Sequence, residues 1–105
     1  MATQETHIVD DVCVVALAGE IDMSTADDVE QWLAEAIRAT SLKRLHADLS
    51  SVEFLDSSGL RALLRSKEAA VEAQVDFAVT NFSPRIERVL RTVGLYDYLT
   101  SEQAA

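Results

Sequence analysis

The fold is decided by the stretch Phe54-Leu55-Asp56-Ser57-Ser58-Gly59-Leu60, in which an apolar pair gives way to small polar residues. Leu60, Leu63 and Leu64 then recur at helical spacing, so a strand is predicted to feed a helix here. The two serines would lie at the helix N-terminus, where backbone N–H groups are unpaired and the partial charge is positive. Such an end suits a phosphate, and we interpret this turn as a candidate phosphorylation site.

Two interpretations of this turn remain open from the residues alone. In the first, Asp56 or Ser57 caps the helix by accepting a backbone N–H, and Gly59 fits a tight bend. In the second, the turn is a functional site, because a cap needs one polar residue whereas four non-bulky residues cluster here.

Strand patterns occur at several places along the chain. The run Val12 to Leu17 is apolar throughout, which is typical of a strand at the centre of a sheet or covered on both faces. The turn Asp10-Asp11 favours a hairpin between this run and a strand around Thr6 to Asp10. Further strands are predicted over Leu45 to Leu49 and Val75 to Val79, and a short edge strand over Tyr96 to Leu99.

Three amphipathic helices are predicted between these strands. Their apolar stripes are Val29, Trp32, Leu33, Ala36 and Ile37, then Leu60, Leu63, Leu64, Lys67 and Val71, then Ile86, Val89, Leu90 and Val93. Ser24 or Thr25 is expected to cap the first helix, and Ser83-Pro84 to begin the third, which ends at Gly94. Lys67 is expected to reach past the edge of the core by its aliphatic stem.

This alternation predicts one α/β domain over residues 1–105. We expect a mixed sheet of about four to five strands, with an N-terminal antiparallel pair and mostly parallel strands after it, packed with three to four helices. Functional residues in such sheets gather where strand C-termini meet helix N-termini. Asp22-Met23-Ser24 and Asp56-Ser57-Ser58 both follow predicted strands, so they are expected to form one surface.

Composition limits the possible partners. The 105 residues carry 18 acidic and 9 basic side chains, a formal charge of −9, so nucleic acid and anionic membranes are expected to be repelled. No apolar run approaches the length of a membrane span, and the N-terminus lacks a signal peptide, so a cytoplasmic protein is expected. Cys13 lies in an apolar run, where a small buried filler is expected. Two interpretations of the charge stay open: a protein partner, or a charge that serves only solubility.

Catalytic and metal-binding patterns are absent from the sequence. Its three glycines, Gly19, Gly59 and Gly94, form no phosphate-binding loop, and its two histidines, His7 and His46, belong to no recognisable catalytic motif. The acidic pairs lack the spacing of calcium loops, and no zinc-type spacing of cysteine and histidine occurs. We therefore expect a protein that is not an enzyme and that uses no cofactor or metal.

Three ordered motifs carry a resemblance to a known family. Gly19-Glu20-Ile21-Asp22 followed by Thr25-Ala26 resembles the family segment G-E-[LI]-D-x-x-T-A, and Phe54 to Leu60 resembles F-[ML]-D-S-S-G-L. Ser83-Pro84 with Val93-Gly94-Leu95 resembles the closing helix. The chain thus resembles a STAS domain of the bacterial anti-sigma factor antagonist family, over nearly its whole length.

The resemblance implies a fold and a switch. It implies the STAS fold, with Ser57 as phosphoacceptor in an acidic surround that Asp22 and Asp56 shape. It also implies partner-binding residues on the loop after the second strand and at the start of the second helix. These residues are Asp22, Met23, Ser24, Thr25, Asp56, Ser58, Gly59 and Leu60. The partner implied is an ATP-dependent serine kinase that is also the anti-sigma factor, and a serine phosphatase resets the switch.

In the activity that the resemblance implies, the unphosphorylated protein binds this kinase and releases a sigma factor for transcription in stress response or sporulation. Phosphorylation of Ser57 abolishes the binding, which is partner switching. An alternative keeps the fold but makes the chain a non-phosphorylated accessory subunit of a transport or stress-sensing complex. The intact Asp56-Ser57-Ser58-Gly59 argues against the transport subunit.

Overall fold

The computed structural model describes residues 1–102, so the last three residues of the expected domain lie outside the described part. Four strands and four helices occur in this part of the chain. In chain order they are β1 (Ala2–Val9), β2 (Val12–Ile21), α1 (Ala26–Ala39), β3 (Arg44–Leu55), α2 (Ser57–Glu72), β4 (Asp76–Thr80), α3 (Pro84–Thr92) and α4 (Tyr96–Thr100). No helix within residues 1–102 is long and apolar enough to cross a membrane.

The four strands form one mixed sheet in the order β1-β2-β3-β4. β1 and β2 are antiparallel, whereas β2, β3 and β4 are parallel. The predicted sheet, with its N-terminal antiparallel pair, is therefore confirmed. β2 lies inside the sheet, as its uninterrupted apolar run indicates.

The hairpin between β1 and β2 turns on two residues. Asp10 and Asp11 have φ angles of 50° and 63°, and Val9 is paired with Val12 across them. Two consecutive positive φ angles define the turn type whose twist matches that of the flanking strands. The Asp10-Asp11 turn predicted from the sequence is thus confirmed.

The core lies between the sheet and the helices. Alternate residues of β2 and β3 and the central residues of β4 are buried with the inner stripes of the helices, whereas residues 3–9 of β1 are exposed. The residues with almost no exposed surface include Val15, Leu17, Val29, Leu33, Leu45, Leu49, Leu63, Phe77, Ile86 and Leu90. Cys13 is buried among them, as expected of a small filler.

The third helix begins and ends as its sequence predicts. The Ser83 hydroxyl accepts a hydrogen bond from the Ile86 N–H, and Pro84 occupies the first turn. Gly94, just after the helix, has a φ angle of 77°, a conformation that a residue with a side chain rarely adopts.

The strand predicted over Tyr96 to Leu99 is wrong, because these residues form helix α4. The Leu99 N–H donates to the Leu95 carbonyl, and the Thr100 hydroxyl donates to the Tyr96 carbonyl. The Leu99 side chain is fully buried, and α4 packs against β4. Tertiary packing therefore decides the conformation of a segment too short for its own periodicity to decide it.

Two positions of the second helical stripe also differ from expectation. Lys67 does not reach past the core edge but is fully buried, and its ammonium donates to the carbonyls of Phe77, at 2.5 Å, and of Ser101. Desolvation lowers the pKa of Lys67. Val71, expected inside, is 39% exposed. Through its two hydrogen bonds, the Lys67 ammonium joins α2 to β4 and to the segment after α4.

Glu102 ties the end of the described chain to β3. Its carboxylate accepts from Arg44 at both oxygens, with Nε–Oε2 and Nη2–Oε1 distances of 2.7 and 3.1 Å. The His46 Nε2 lies 2.9 Å from the same Oε2. The hydrogen bonds from Arg44 hold the pKa of Glu102 at about 2, below its usual 4.5.

The first turn of α2 approaches β2 so closely that only glycine fits. A Cβ added to Gly59 would lie 2.5 Å from the Ile21 carbonyl oxygen and 2.5 Å from Cδ1 of Leu55. Real Cβ atoms do not approach backbone oxygens to this distance, so the helix would have to move.

Gly59→Ala is therefore expected to lower the free energy of unfolding by about 1 to 3 kcal/mol, although alanine normally favours a helix. Urea denaturation followed by circular dichroism measures the change. Ser57→Ala, two residues earlier at an exposed position of the same turn, serves as the control and should change stability little. Equal stability of the Gly59→Ala variant and the original protein would contradict the close approach.

Glu102→Gln should destabilise the protein at neutral pH by about 1 kcal/mol, since the ion pair is partly solvent-exposed. Because the folded-state pKa of Glu102 is depressed, its contribution is complete above pH 4.5 and is lost as the pH falls towards 2. The stability difference between variant and original protein should therefore shrink over that range in pH-dependent urea denaturation. The same substitution at the exposed Glu68 is the matched control.

Candidate functional site

Two loops meet at one end of the sheet, where β2 and β3 finish side by side. Ile21 and Leu55, the last residues of these strands, are paired in the sheet. The Asp56 N–H also donates to the Ile21 carbonyl, at 3.3 Å. The structure therefore places the segment that begins at Asp22 beside the one that begins at Asp56, as the strand order in the sequence predicts.

Asp56 is the residue that caps α2. Its Oδ1 accepts from the N–H groups of Ser58, at 2.9 Å, and Gly59, at 3.1 Å. These are two of the unpaired donors at the helix start, so the carboxylate satisfies them and its charge opposes the positive end of the helix. Of the two capping residues that the sequence allows, Asp56 rather than Ser57 takes this role.

Ser57 is left free by this arrangement. It is the first residue of α2 and is exposed to solvent. Within residues 1–102 its hydroxyl has no hydrogen-bond partner, whereas Asp56 before it and Gly59 after it are held by the cap and by packing. The result is a hydroxyl on the first turn of α2 that is open to another molecule.

The loop after β2 is fixed by its own hydrogen bonds. Oδ1 of Asp22 accepts from the N–H and the hydroxyl of Ser24, at 2.9 and 2.7 Å, and these bonds lower the pKa of Asp22. The buried Thr25 hydroxyl accepts from the Asp22 N–H and donates to the Glu20 carbonyl. The loop therefore presents an ionised Asp22 at neutral pH.

The expected side-chain cap of α1 is absent. Thr25 occupies the N-cap position, but its side chain makes no capping hydrogen bond. The physical reason is that its hydroxyl is committed to the loop, to the Asp22 N–H and the Glu20 carbonyl. Ser24 likewise donates to Asp22 rather than capping the helix.

A shallow groove of about 270 Å³ runs between α1 and α2 beside Ser57. Met23, which is 83% exposed, and Ser58 lie at its wall. Its charged lining consists of Asp27 and Glu30 from α1 and Arg61 and Arg65 from α2. The groove thus combines an exposed apolar side chain with charges of both signs, and such a combination is suited to binding the surface of another protein.

The four charged residues of the groove were not identified as partner-binding residues from the sequence, whereas Met23 and Ser58 were. Arg61 and Arg65 lie four residues apart and so share one face of α2, and Asp27 and Glu30 lie three apart on α1. Those spacings are the signal that could have revealed them. The pairing across the groove, Arg65 Nη1 to Glu30 Oε1 at 3.8 Å, depends on how the two helices pack and has no sequence signature.

The residues expected to bind a partner differ in exposure. Met23 and Ser24 are exposed, as is the expected acceptor Ser57, and Asp22, Asp56 and Ser58 are partly buried. Thr25, Gly59 and Leu60 are buried, so they position the surface rather than form it. In the described part of the chain, no three His, Cys, Asp or Glu side chains converge as metal ligands.

Comparisons with known proteins agree with this geometry. The STAS domain family model matches residues 3–104. An anti-sigma F factor antagonist from Paenibacillus polymyxa is 32% identical over 85 residues, covering 81% of this chain and 73% of that protein. The anti-sigma-F factor antagonist of Mycobacterium tuberculosis is 36% identical over 84 residues, covering 80% of this chain and 67% of that protein.

A solved structure is similar along nearly the whole chain. The crystal structure of an anti-sigma factor antagonist from Mycobacterium paratuberculosis has 35% sequence identity and a TM-score of 0.81, covering 95% of this chain and 83% of that one. With a family model that spans almost every residue, a sheet of the expected topology and these relatives, the chain belongs to the STAS domain family, in the group that contains the anti-sigma factor antagonists.

Proposed function

We propose that this protein is an anti-sigma factor antagonist that is switched by phosphorylation of Ser57. Its unphosphorylated form binds an anti-sigma factor that is also a serine kinase, and the sigma factor is released for transcription. The similarity to proteins with that name supports the antagonist role. The observation that carries the switch is the exposed, unbonded hydroxyl of Ser57 beside a capped helix start.

Ser57 is the better acceptor of the two adjacent serines. Ser58 is partly buried, lies in the wall of the groove and has its N–H bound by Asp56. Ser57 precedes it at the exposed edge, where a kinase active site has access from solvent. The difference in exposure therefore agrees with the assignment that the motif resemblance implies.

The proposed modification is an ordinary phosphoryl transfer. The Ser57 oxygen forms a bond to the γ-phosphorus of ATP held by the partner, and the bond from that phosphorus to the β-phosphate oxygen breaks. ADP leaves, and the hydroxyl proton passes to a base on the kinase. This chain supplies only the acceptor oxygen and its position, so it acts as a substrate and binding protein rather than as an enzyme.

The phosphate would oppose binding through charge. It adds about −1.5 to −2 charge at neutral pH on a surface that already carries Asp22 and Asp56. The Asp56 carboxylate already occupies two N–H donors of the α2 terminus, which leaves fewer groups to neutralise a phosphate. A partner surface that accommodates Ser57 would have to bury the added charge, so the complex would dissociate without refolding.

The same surface provides the docking contacts in this proposal. The exposed Met23 lines the groove together with Ser58, the residue after the acceptor, and Arg61 and Arg65 lie in the same groove with Asp27 and Glu30. Exposed apolar side chains next to charged ones are typical of the centre and rim of a protein interface. A cytoplasmic location, a protein phosphatase that removes the phosphate and a role in stress response or sporulation complete the proposal.

Phosphorylation of Ser57 is tested directly with ATP and the serine kinases encoded beside this protein's gene. Mass spectrometry should find one phosphate on the peptide that contains Ser57, and none after Ser57→Ala. Ser58→Ala is the matched control and should still be phosphorylated. If no such kinase modifies Ser57, the chain would instead fit a non-phosphorylated accessory subunit.

Binding affinities of charge variants test the switch itself. Ser57→Ala should bind the kinase as tightly as the original protein does, whereas Ser57→Asp should bind at least about tenfold more weakly, a loss of about 1.4 kcal/mol. The phosphorylated protein should lose about a hundredfold or more, since its added charge is larger. Isothermal titration calorimetry with the isolated kinase measures all three, and equal affinities for the Ala and Asp variants would refute the switch.

The docking surface is tested with Met23→Ala, which removes an exposed side chain without disturbing the core. We expect binding of the kinase to weaken by about tenfold, as for a central interface residue. Val71→Ala is the control, because Val71, like Met23, is an exposed apolar side chain. It lies on α2, about 21 Å along the helix from Ser57. Equal losses for the two variants would place the docking surface elsewhere.

A further inference from the structure

One edge of the sheet is covered and the other is open. At the β4 edge, α4 packs against the strand, and the buried Lys67 ammonium donates to the Phe77 carbonyl. At the opposite edge, β1 pairs with β2 alone among the described residues, and every residue from 3 to 9 is exposed. Ile8 is 69% exposed, although isoleucine is usually buried. An open edge with an apolar side chain invites another strand.

The hairpin turn determines which backbone groups face outward on β1. Residues that flank a two-residue turn form a hydrogen-bonded pair, and such pairs alternate along antiparallel strands. Since Val9 and Val12 flank the turn, Val9, His7 and Glu5 direct their backbone groups towards β2. Gln4, Thr6 and Ile8 therefore direct their N–H and C=O groups to the free edge.

These outward groups allow a symmetric pairing of two copies. With the two-fold axis at Thr6, each Thr6 forms a hydrogen-bonded pair with the partner's Thr6. Gln4 forms one with the partner's Ile8, and the reciprocal pair follows by symmetry. Together these pairs make six backbone hydrogen bonds, which is the full bonding capacity of residues 4 to 8 at this edge.

The side chains are complementary in the same register. Glu5 lies directly opposite the partner's His7 in a non-hydrogen-bonded pair, where side chains approach most closely. Symmetry makes this pair twice, and a hydrogen bond from the imidazole to the carboxylate at such positions stabilises a sheet. Moving the axis to Glu5 would instead place two carboxylates opposite each other. Backbone bonding allows both registers, so the pairing of Glu5 with His7 is what favours the register at Thr6.

We propose that a second copy of this chain binds at the free edge of β1, antiparallel and with the two-fold axis at Thr6, to form a continuous eight-stranded sheet. The axis is perpendicular to the sheet, so the helices of both copies lie on the same side. The two Ser57 surfaces then lie at opposite ends of the strands. This interaction is independent of the proposed switch, because neither Ser57 surface forms part of the interface.

The pairing also extends an apolar groove beside β1. This groove of about 500 Å³ lies between β1 and the end of α1, and it is lined by Thr6, Ile8, Cys13, Ala36 and Leu42 among others. In the proposed register, the partner's Gln4 and Thr6 lie next to Ile8 on this side of the sheet. They would cover part of an apolar side chain that the monomer leaves in water.

The backbone contribution is tested with Thr6→Pro in the full chain. The Thr6 N–H faces the free edge, so its removal costs no bond to β2, and proline is tolerated at such edge positions. Sedimentation equilibrium from about 10 μM to about 1 mM should show a monomer–dimer equilibrium for the original protein and only monomer for Thr6→Pro. Circular dichroism and urea denaturation should show that the variant remains folded.

The side-chain register is tested by reversing charge. His7→Glu places two pairs of carboxylates opposite each other and should weaken the dimer by about tenfold or more. Adding Glu5→Lys to that variant restores opposite charges and should recover dimerisation. A protein that remains monomeric at about 1 mM would overturn the proposal, and so would a dimer insensitive to both Thr6→Pro and His7→Glu.

Discussion

The close approach of α2 to the end of β2 is the constraint on which the site depends. Because Gly59 has no Cβ, the first turn of the helix rests against Ile21 and Leu55. That contact fixes where the helix begins, and so places Asp56 at the cap and Ser57 on the outside. One added side-chain carbon at this contact would displace α2. The acceptor Ser57, which follows β3, would then move relative to the Asp22 loop, which follows β2.

The turn from Asp56 to Gly59 is both a helix cap and a functional site. The sequence alone sets these interpretations against each other, but the structure divides the roles among neighbouring residues. Asp56 satisfies the helix N-terminus and Gly59 permits the packing, which releases Ser57 from any structural task. A modification of the Ser57 hydroxyl therefore breaks no hydrogen bond among residues 1–102, and a phosphate can act on binding alone.

Periodicity predicted the long elements well, because each buries one regular face. The hairpin at Asp10-Asp11 and the cap at Ser83 were predictable as well, since both follow from the local chemistry of a few adjacent residues. The short α4 was not, because five residues cannot distinguish a period of 2 from one of 3.6. Burial of Lys67 was also missed, since its acceptors, Phe77 and Ser101, lie 10 and 34 residues away.

The two edges of the sheet have different consequences for the protein. At β4 the buried Lys67 ammonium and α4 cover the edge. Burial of this ammonium is unfavourable in itself, because desolvation disfavours its charged form. At β1 the exposed Glu5 places a carboxylate at the open edge, and charged side chains there normally oppose strand pairing. In the proposed dimer, however, a two-fold axis at Thr6 places Glu5 of each copy opposite His7 of the other, so the two side chains are complementary. The same side chains therefore favour the symmetric register at Thr6 over the one with its axis at Glu5, which would place two carboxylates opposite each other.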